Sequence, residues 1–330
     1  MSIQKNLFSL IIILLSISIL YASCSNNKSQ NLRILVTPQS VVASFWVTVK
    51  AGADSAGKEL SVEVIWKGPP TEADVNNQIS ILEDYINQRI DAIVLAALDT
   101  KALIPVVRNA VSKNIPVITI DSGIDSDEPK SFIATNNVLG ANMAAKVLAQ
   151  LIGYKGNVAL IPFFPGTSTS IERERGFREE IAKYPDIKLV TVQYSQNDMA
   201  IAMAVTENIL TSFPDIDGIF AANEPGVIGA SQAVSARGLS GKVKIVGFDA
   251  AENEIDALKK NIVQALVVQN PFKMGYLGVK SAVDVINGKE IPKRVDTGVT
   301  VVTMENFYNE EIQKLLYPIK SLSKSVSLKE

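Results

Sequence analysis

The chain contains no histidine and a single cysteine in 330 residues. The first absence removes the commonest general base and the commonest metal ligand. The second excludes an intrachain disulfide and a thiolate metal cluster. Ser-His-Asp and Cys-His mechanisms are therefore impossible, and the chain is poorly equipped for proton-transfer chemistry. It has no Gly-x-Gly-x-x-Gly or Walker loop to cradle a phosphate, and no cofactor or metal is implied. Net charge is only −2, so no basic face invites a nucleic acid. After the N-terminal segment, no apolar run is long enough to span a bilayer, which takes roughly 20 residues.

The N-terminus itself reads as an export signal. Lys5 precedes an apolar run from Leu7 to Leu20, broken only by Ser9, Ser16 and Ser18, and small residues Ala22 and Ser23 follow. At about 14 residues the run is short for a membrane helix and right for a signal peptide. Tyr21-Ala22-Ser23-Cys24 resembles a lipobox, although that pattern prefers Leu three residues before the cysteine and here Leu20 stands four before. The expectation is a signal peptide over residues 1–23, lipidation at Cys24 and a polar tether over 24–30; the alternatives are a retained anchor helix and an ordinary cleavage that leaves Cys24 a free thiol. That places the protein in the cell envelope, outside the cytoplasm and lipid-anchored to a membrane.

From Leu32 on, short β-branched runs alternate with longer amphipathic stretches. Strands are expected at Leu32–Thr37, Val62–Trp66, Ala92–Leu98, Val117–Asp121, Ser131–Thr135, Val158–Phe163, Lys188–Gln193, Gly218–Ala222, Val243–Phe248, Ala265–Gln269 and Gly298–Thr303. Continuous apolar runs such as Val243–Phe248 suit strands buried on both faces of a parallel sheet. Between them lie helices including Val75–Gln88, Ala141–Leu151, Ile171–Lys183, Ala200–Ser212 and Phe272–Asn287. In the first, Val75, Ile79, Leu82 and Ile86 share one face. This many strands exceed a usual open sheet, so the fold class is α/β with two similar lobes, each a doubly wound parallel sheet.

In such sheets ligands bind beyond the carboxyl ends of the strands. The residues found there are Asp121, Asn223, Asp249 and Gln269. The first strand leads to Phe45 and Trp46, and Val158–Phe163 leads to Arg173. Rings, amides, carboxylates and one arginine suit a neutral polyhydroxylated ligand better than a phosphate. Each residue also has an ordinary role open to it. Asp121, Asn223 and Asp249 can cap helices. Arg173 can lie on a solvated face, and the rings can belong to the core.

Taken with Asn114–Asp121, Pro165-Gly166-Thr167-Ser168, Arg173-Glu174-Arg175-Gly176-Phe177, Gly218–Glu224 and Val246-Gly247-Phe248-Asp249, the chain from about residue 32 to 305 resembles periplasmic sugar-binding proteins of the ribose-binding type. Their type I fold is shared with lactose-repressor-like ligand domains. The resemblance implies that Phe45 and Trp46 sandwich a sugar ring and that Asp121, Arg173, Asn223, Asp249 and Gln269 hold its polar groups. It also implies three crossovers, near Thr135-Asn136, Gln269 and Thr297-Gly298. These divide an N-terminal lobe of residues 31–135 and 270–297 from a C-terminal lobe of 136–269 and 298–330. The chain departs from the ribose pattern at Ala43, Ser122 and Asn197, where that pattern has an asparagine, an arginine and a ring. Trp66–Thr71 resembles relatives that bind other sugars or a furanosyl signalling molecule.

The implied function is the substrate-binding lipoprotein of an ABC transporter. It captures a sugar or sugar-like ligand by hinge closure, as a monomer, and passes it to a membrane permease. A ligand sensor for chemotaxis or quorum signalling has the same fold and site. An enzyme is disfavoured by the missing catalytic motifs. A repressor-type regulator is disfavoured because an apolar signal stands where a basic helix-turn-helix belongs.

Overall fold

Residues 31–319 are described by the structure, a computed structural model. The expected signal peptide, Cys24 and the tether lie outside the described residues, as do residues 320–330. By its contacts the chain divides between Leu32 and Arg33, and both lobes belong to the unit that begins at Arg33.

The elements alternate along the chain. The first part runs β1 (Arg33–Thr37), α1 (Ser44–Leu60), β2 (Glu63–Trp66), α2 (Val75–Asn87), β3 (Ala92–Leu95), α3 (Ile104–Ser112), β4 (Val117–Ile120) and β5 (Ser131–Ala134). It continues through α4 (Asn137–Leu151), β6 (Gly156–Ile161), α5 (Ser168–Ile181), β7 (Ile187–Val192), α6 (Met199–Ser212), β8 (Ile216–Ala221), α7 (Glu224–Ala236) and β9 (Lys244–Phe248). The last part is α8 (Glu252–Lys259), β10 (Ala265–Gln269), α9 (Pro271–Ile286), β11 (Arg294–Asp296), β12 (Val299–Val302) and α10 (Glu310–Leu316).

Two six-stranded sheets result, ordered β11-β5-β4-β3-β1-β2 and β12-β10-β9-β8-β6-β7. Their strands are apolar because both faces are covered: all of β3 and β4 is buried. On α2, Leu82 and Ile86 enter the first-lobe core, with Val75 and Ile79 packed against it. Asp74 starts that helix by accepting the Asn77 amide at 3.0 Å. In the second lobe Phe177, Phe220 and Phe248 line up within the core, with ring centroids 4.9 and 6.5 Å apart.

The chain passes between the sheets three times, at 135–136, at 270 and at 297–298. Helix α4 follows a strand of the first sheet but packs on α5 and on β8, β9 and β10. Helix α9 follows a strand of the second sheet but packs on α1 and on β3, β4 and β5. The α1–α9 contact is close because glycines meet backbone there. A Cβ on Gly52 would collide with the Phe272 carbonyl oxygen, and one on Gly275 with that of Val49.

Three features differ from the sequence expectation. Strand β11 has no sequence signal, because Arg-Val-Asp offers a single apolar side chain. It pairs parallel with β5, and Arg294 lies over the Phe132 ring at 4.2 Å. Strand β12 runs antiparallel to β10. It follows β11 through Thr297-Gly298 with no helical crossover, so it leaves the crossover region while β10 approaches it. Helices α4 and α5 begin several residues before the expected Ala141 and Ile171; the first turn of α5 is Ser168-Thr169-Ser170, with no apolar side chain to mark it. The Asn136 side chain caps α4 by accepting the Leu139 amide at 3.0 Å.

Candidate ligand-binding site

A cavity of about 100 Å³ lies between the lobes at the carboxyl ends of the strands. All seven residues singled out from sequence line it: Phe45, Trp46, Asp121, Arg173, Asn223, Asp249 and Gln269. Gln39, Ala43, Glu72, Phe163, Thr169, Asn197, Glu224 and Pro225 complete the wall. A cavity of about 280 Å³ adjoins it, bounded by α8 and by Leu315–Ile319, and shares Phe45, Glu224, Asp249 and Gln269. Of the two, only the smaller is lined by Arg173, Asp121 and Asn223.

Arg173 is not on a solvated helix face. It projects from α5 into the core, 3% exposed. Its Nε donates to Asn137 Oδ1 at 2.9 Å and its Nη1 donates to the Ala222 carbonyl at 2.8 Å. The guanidinium lies over the Phe248 ring at 3.7 Å, with Phe163 further off at 5.6 Å. Asp249 is 3.9 Å away. Burial pulls the arginine pKa down, and the charges of Asp249 and Asp121 push it back up. Two of its five N–H groups are committed to protein acceptors, which leaves donors for the cavity.

Neither Asp121 nor Asp249 caps a helix. Both adopt left-handed backbone, with φ of 56° and 88°. Helix α8 begins instead after Ala251, whose amide is bonded by Glu254 Oε2 at 2.6 Å. That bond ties down the turn carrying Asp249. Asp249 Oδ1 accepts Gln269 Nε2 at 2.6 Å, while Gln269 Oε1 is buried with no protein partner. Asn223 serves two purposes: its Oδ1 caps α7 through the Gly226 amide at 3.1 Å, and its Nδ2 donates to Asn197 Oδ1 at 2.5 Å.

The first lobe supplies rings and acids. Trp46 is buried and meets Phe45 edge-on, their centroids 5.0 Å apart and their planes at 85°, so the two rings pack on each other and do not sandwich a sugar ring between them as the resemblance implied. Trp46 Nε1 donates to Glu72 Oε1 at 2.8 Å. Burial pushes the Glu72 carboxyl up to about 7, and the Trp46 bond works against that shift. Burial likewise pushes Asp121 up to about 7, with Arg173 opposing it.

The lobes are closed on one another. Asn197 Nδ2 donates to Glu72 Oε2 at 2.9 Å, Ser44 Oγ donates to Glu224 Oε2 at 2.7 Å, and the Ser122 and Ser168 hydroxyls are 3.0 Å apart. Sequence reasoning missed Glu72, Gln39, Phe163, Thr169 and Glu224 as site residues. Phe163 stands at the end of an expected strand, so the strand-end rule points to it. Glu72 follows directly on Trp66–Thr71, but it sits in a loop between β2 and α2 and ends no strand.

Rings, a buried guanidinium, amides and acids contributed by two lobes around one closed cavity define a two-lobed solute-binding protein. A family model described as a periplasmic binding protein domain matches residues 34–290. The chain is 30% identical over 283 residues to the ribose import binding protein of Bacillus subtilis (strain 168), covering 86% of this chain and 90% of that protein. It is 34% identical over 257 residues to the D-allose-binding periplasmic protein of Escherichia coli (strain K12), covering 75% and 83%. A carbohydrate transporter solute-binding protein from Agrobacterium radiobacter, solved with D-arabinose, superposes with a TM-score of 0.84 at 36% identity, over 87% of this chain and 99% of the other. The chain belongs to the periplasmic binding protein family. The family and these relatives are binding proteins, and the family is extracytoplasmic.

Proposed function

We propose that this protein is the sugar-binding component of an ABC importer, tethered to a membrane by an acylated Cys24. It captures a monosaccharide-sized ligand between its lobes and presents the closed form to a permease, with no catalytic step. The observation that carries this reading is the cavity wall itself. It gathers two rings, the free donors of Arg173, the acceptors of Asp121, Asp249 and Glu72, and the unpartnered Gln269 Oε1 around one small volume. Hydroxyls both donate and accept, so a sugar can satisfy this mixed set while its C–H face lies against the half-buried Phe45 ring, which Trp46 backs edge-on. About 100 Å³ is well below the roughly 300–1,000 Å³ of pockets for drug-sized ligands, which favours a single ring. Relatives named for ribose and D-allose, and structures with D-arabinose and D-fucose, support the ligand class. The segments at 135–136, 270 and 297–298 are the hinge, and the lobes turn about it.

A melting-point screen of residues 31–330 against pentoses, hexoses, polyols and furanosyl signals tests the reading. A true ligand at 100 times its dissociation constant stabilises by about 2.7 kcal/mol. A response to amino acids or anions alone would refute the sugar assignment. The anchor is tested separately, by mass spectrometry of membrane-extracted protein, which should show a diacyl or triacyl cysteine at the N-terminus. Two or more chains hold a protein firmly where one does not.

A further inference from the structure

Glu72 stands apart from the other polar residues of the cavity. It is carried by a loop, not by a strand end, and its two carboxylate oxygens are claimed by different lobes. Oε1 accepts Trp46 Nε1 from the first lobe at 2.8 Å, and Oε2 accepts Asn197 Nδ2 from the second at 2.9 Å. Behind Asn197 the bonds continue in one sense. Asn223 Nδ2 donates to Asn197 Oδ1, and the Gly226 amide at the start of α7 donates to Asn223 Oδ1. Every donor in this line points toward Glu72, which is its terminal acceptor. Asn197 is held in left-handed backbone at φ 55°, and the next residue, Asp198, caps α6 through the Ile201 amide at 2.9 Å. The amide is therefore fixed in place.

An ionised carboxylate has about four lone-pair sites, and two are used here. The remainder face the cavity, beside a neighbourhood already rich in acceptors from Asp249 and Glu224. In its ionised form Glu72 offers a ligand group at this corner its remaining acceptor sites. A hydroxyl satisfies them by donating. A methyl or methylene group would leave a buried acid without the hydrogen bond that burial demands.

We propose that Glu72 is a specificity-determining residue of the cavity, a cross-lobe acceptor that selects ligands presenting a hydroxyl hydrogen to it in the closed form. This rests on the sugar-binding reading above. The mechanism resembles any site built to bond a polar group: the analogue lacking that group is rejected because the site is left unpaired.

The test is a cycle of protein and sugar changes read by titration calorimetry. The tightest-binding member of a panel of D-ribose, D-arabinose, D-allose, D-galactose and D-fucose is compared with each of its monodeoxy analogues, on the wild type and on Glu72→Gln. One deoxy analogue should bind the wild type at least tenfold more weakly than its parent. On Glu72→Gln the parent itself should lose about tenfold, and the gap between it and that one analogue should close to within about threefold. Glu72→Asp, which keeps the charge but withdraws it by a methylene, should fall between the two and confirms that a folded protein is being measured. Equal losses for the parent and all analogues would overturn the proposal, and so would no loss, because Glu72 would then only steady Trp46 or the closed form. Failure of the wild type to bind any sugar of the panel would overturn the functional reading and this inference together.

Discussion

In the first lobe the strands run β2, β1, β3, β4, β5, β11 across the sheet, and in the second β7, β6, β8, β9, β10, β12. Each strand of one lobe thus has a counterpart in the other. The parallel extends to the aspartates. Asp121 follows β4 and Asp249 follows the matching β9, both in left-handed backbone. Each donates its amide to the next strand, Asp121 to the Ile133 carbonyl at 3.0 Å and Asp249 to that of Val267 at 2.9 Å. What differs is the company they keep. Asp249 has Gln269 and Arg173 from its own lobe, whereas Asp121 and Glu72 draw on the charge of Arg173 from across the cleft. The same backbone device therefore gives one acid that is neutralised at home and another whose cation arrives only on closure. On the hinge motion proposed above, opening would return the first-lobe acids to water and tie the cavity's electrostatics to lobe position.

The largest expected effect concerns the scaffold that both lobes share. Gly275→Ala should destabilise by about 3 kcal/mol, because its Cβ meets the Val49 backbone oxygen and α1 and α9 must separate. Gly176→Ala in the second lobe meets the Val138 oxygen at the α4–α5 contact and should cost somewhat less. Urea unfolding of both variants measures this. A cost below about 0.5 kcal/mol for Gly275→Ala would show that the helices do not depend on this close approach.

The next comparison sets Arg173 against Asp249. Arg173→Lys loses the planar fork that reaches both Asn137 and the Ala222 carbonyl, so free-state stability should fall by about 1–3 kcal/mol and sugar affinity by tenfold or more. Asp249→Asn should leave free-state stability nearly unchanged, since Asn tolerates left-handed backbone well. Its affinity should still drop by about 1.5–3 kcal/mol, because an amide donor now faces Arg173 and the ligand. Calorimetry beside unfolding curves separates the two patterns. Stability loss in Asp249→Asn would make it scaffold.

Acid titration sharpens the contrast further. Asp121 and Glu72 have folded pKa values of about 7, above their ordinary values of 3.8 and 4.5. Between those limits the folded state binds more protons than the unfolded one, so stability must fall as pH rises through the window. Glu254 and Glu224, also raised by burial, act in the same sense. Unfolding free energy should be more than about 1 kcal/mol greater at pH 5.5 than at pH 7.5 for the unliganded protein. Asp121→Asn should flatten that slope by removing one of the groups that titrates in the window.

Much of this architecture was readable in the chain. Strands buried on both faces announce themselves as β-branched runs, and the residues just past their ends could be named before any coordinates: all seven face one cavity. The rest was hidden for definite reasons. Helix α1 carries the small residues Gly52 and Ala53 where it meets α9, so it lacks the bulky apolar stripe that marks α2. Strand β11 is too short and charged to show a period. Glu72 belongs to a loop, where position depends on contacts with Trp46 and Asn197 that no local pattern encodes. Arg173 lies in a Glu-Arg-Glu-Arg run whose charges look alike until the helix is turned toward the core.

The smallest predicted effect separates the two kinds of bond that close the lobes. Ser44 Oγ donates to Glu224 Oε2 across the cleft, but on the exposed side of the interface. Ser44 is not the cap of α1, whose preceding residue is Ala43, so Ser44→Ala should leave the helix and the unfolding curve intact. Opening the lobes gives both groups back to water, and the net worth of such an exposed bond is about 0.5 kcal/mol. The closed form should therefore lose roughly half its population relative to the open one, and sugar affinity should weaken about twofold, mainly through faster release. The Glu72–Asn197 bond differs because it lies in the cavity wall, where water is displaced by the ligand. Calorimetry and stopped-flow release on Ser44→Ala, beside Asn197→Ala, provide the measurement. The expected order is a small loss for Ser44→Ala and a tenfold or larger one for Asn197→Ala. A tenfold loss for Ser44→Ala would move control of closure from the cavity to its rim.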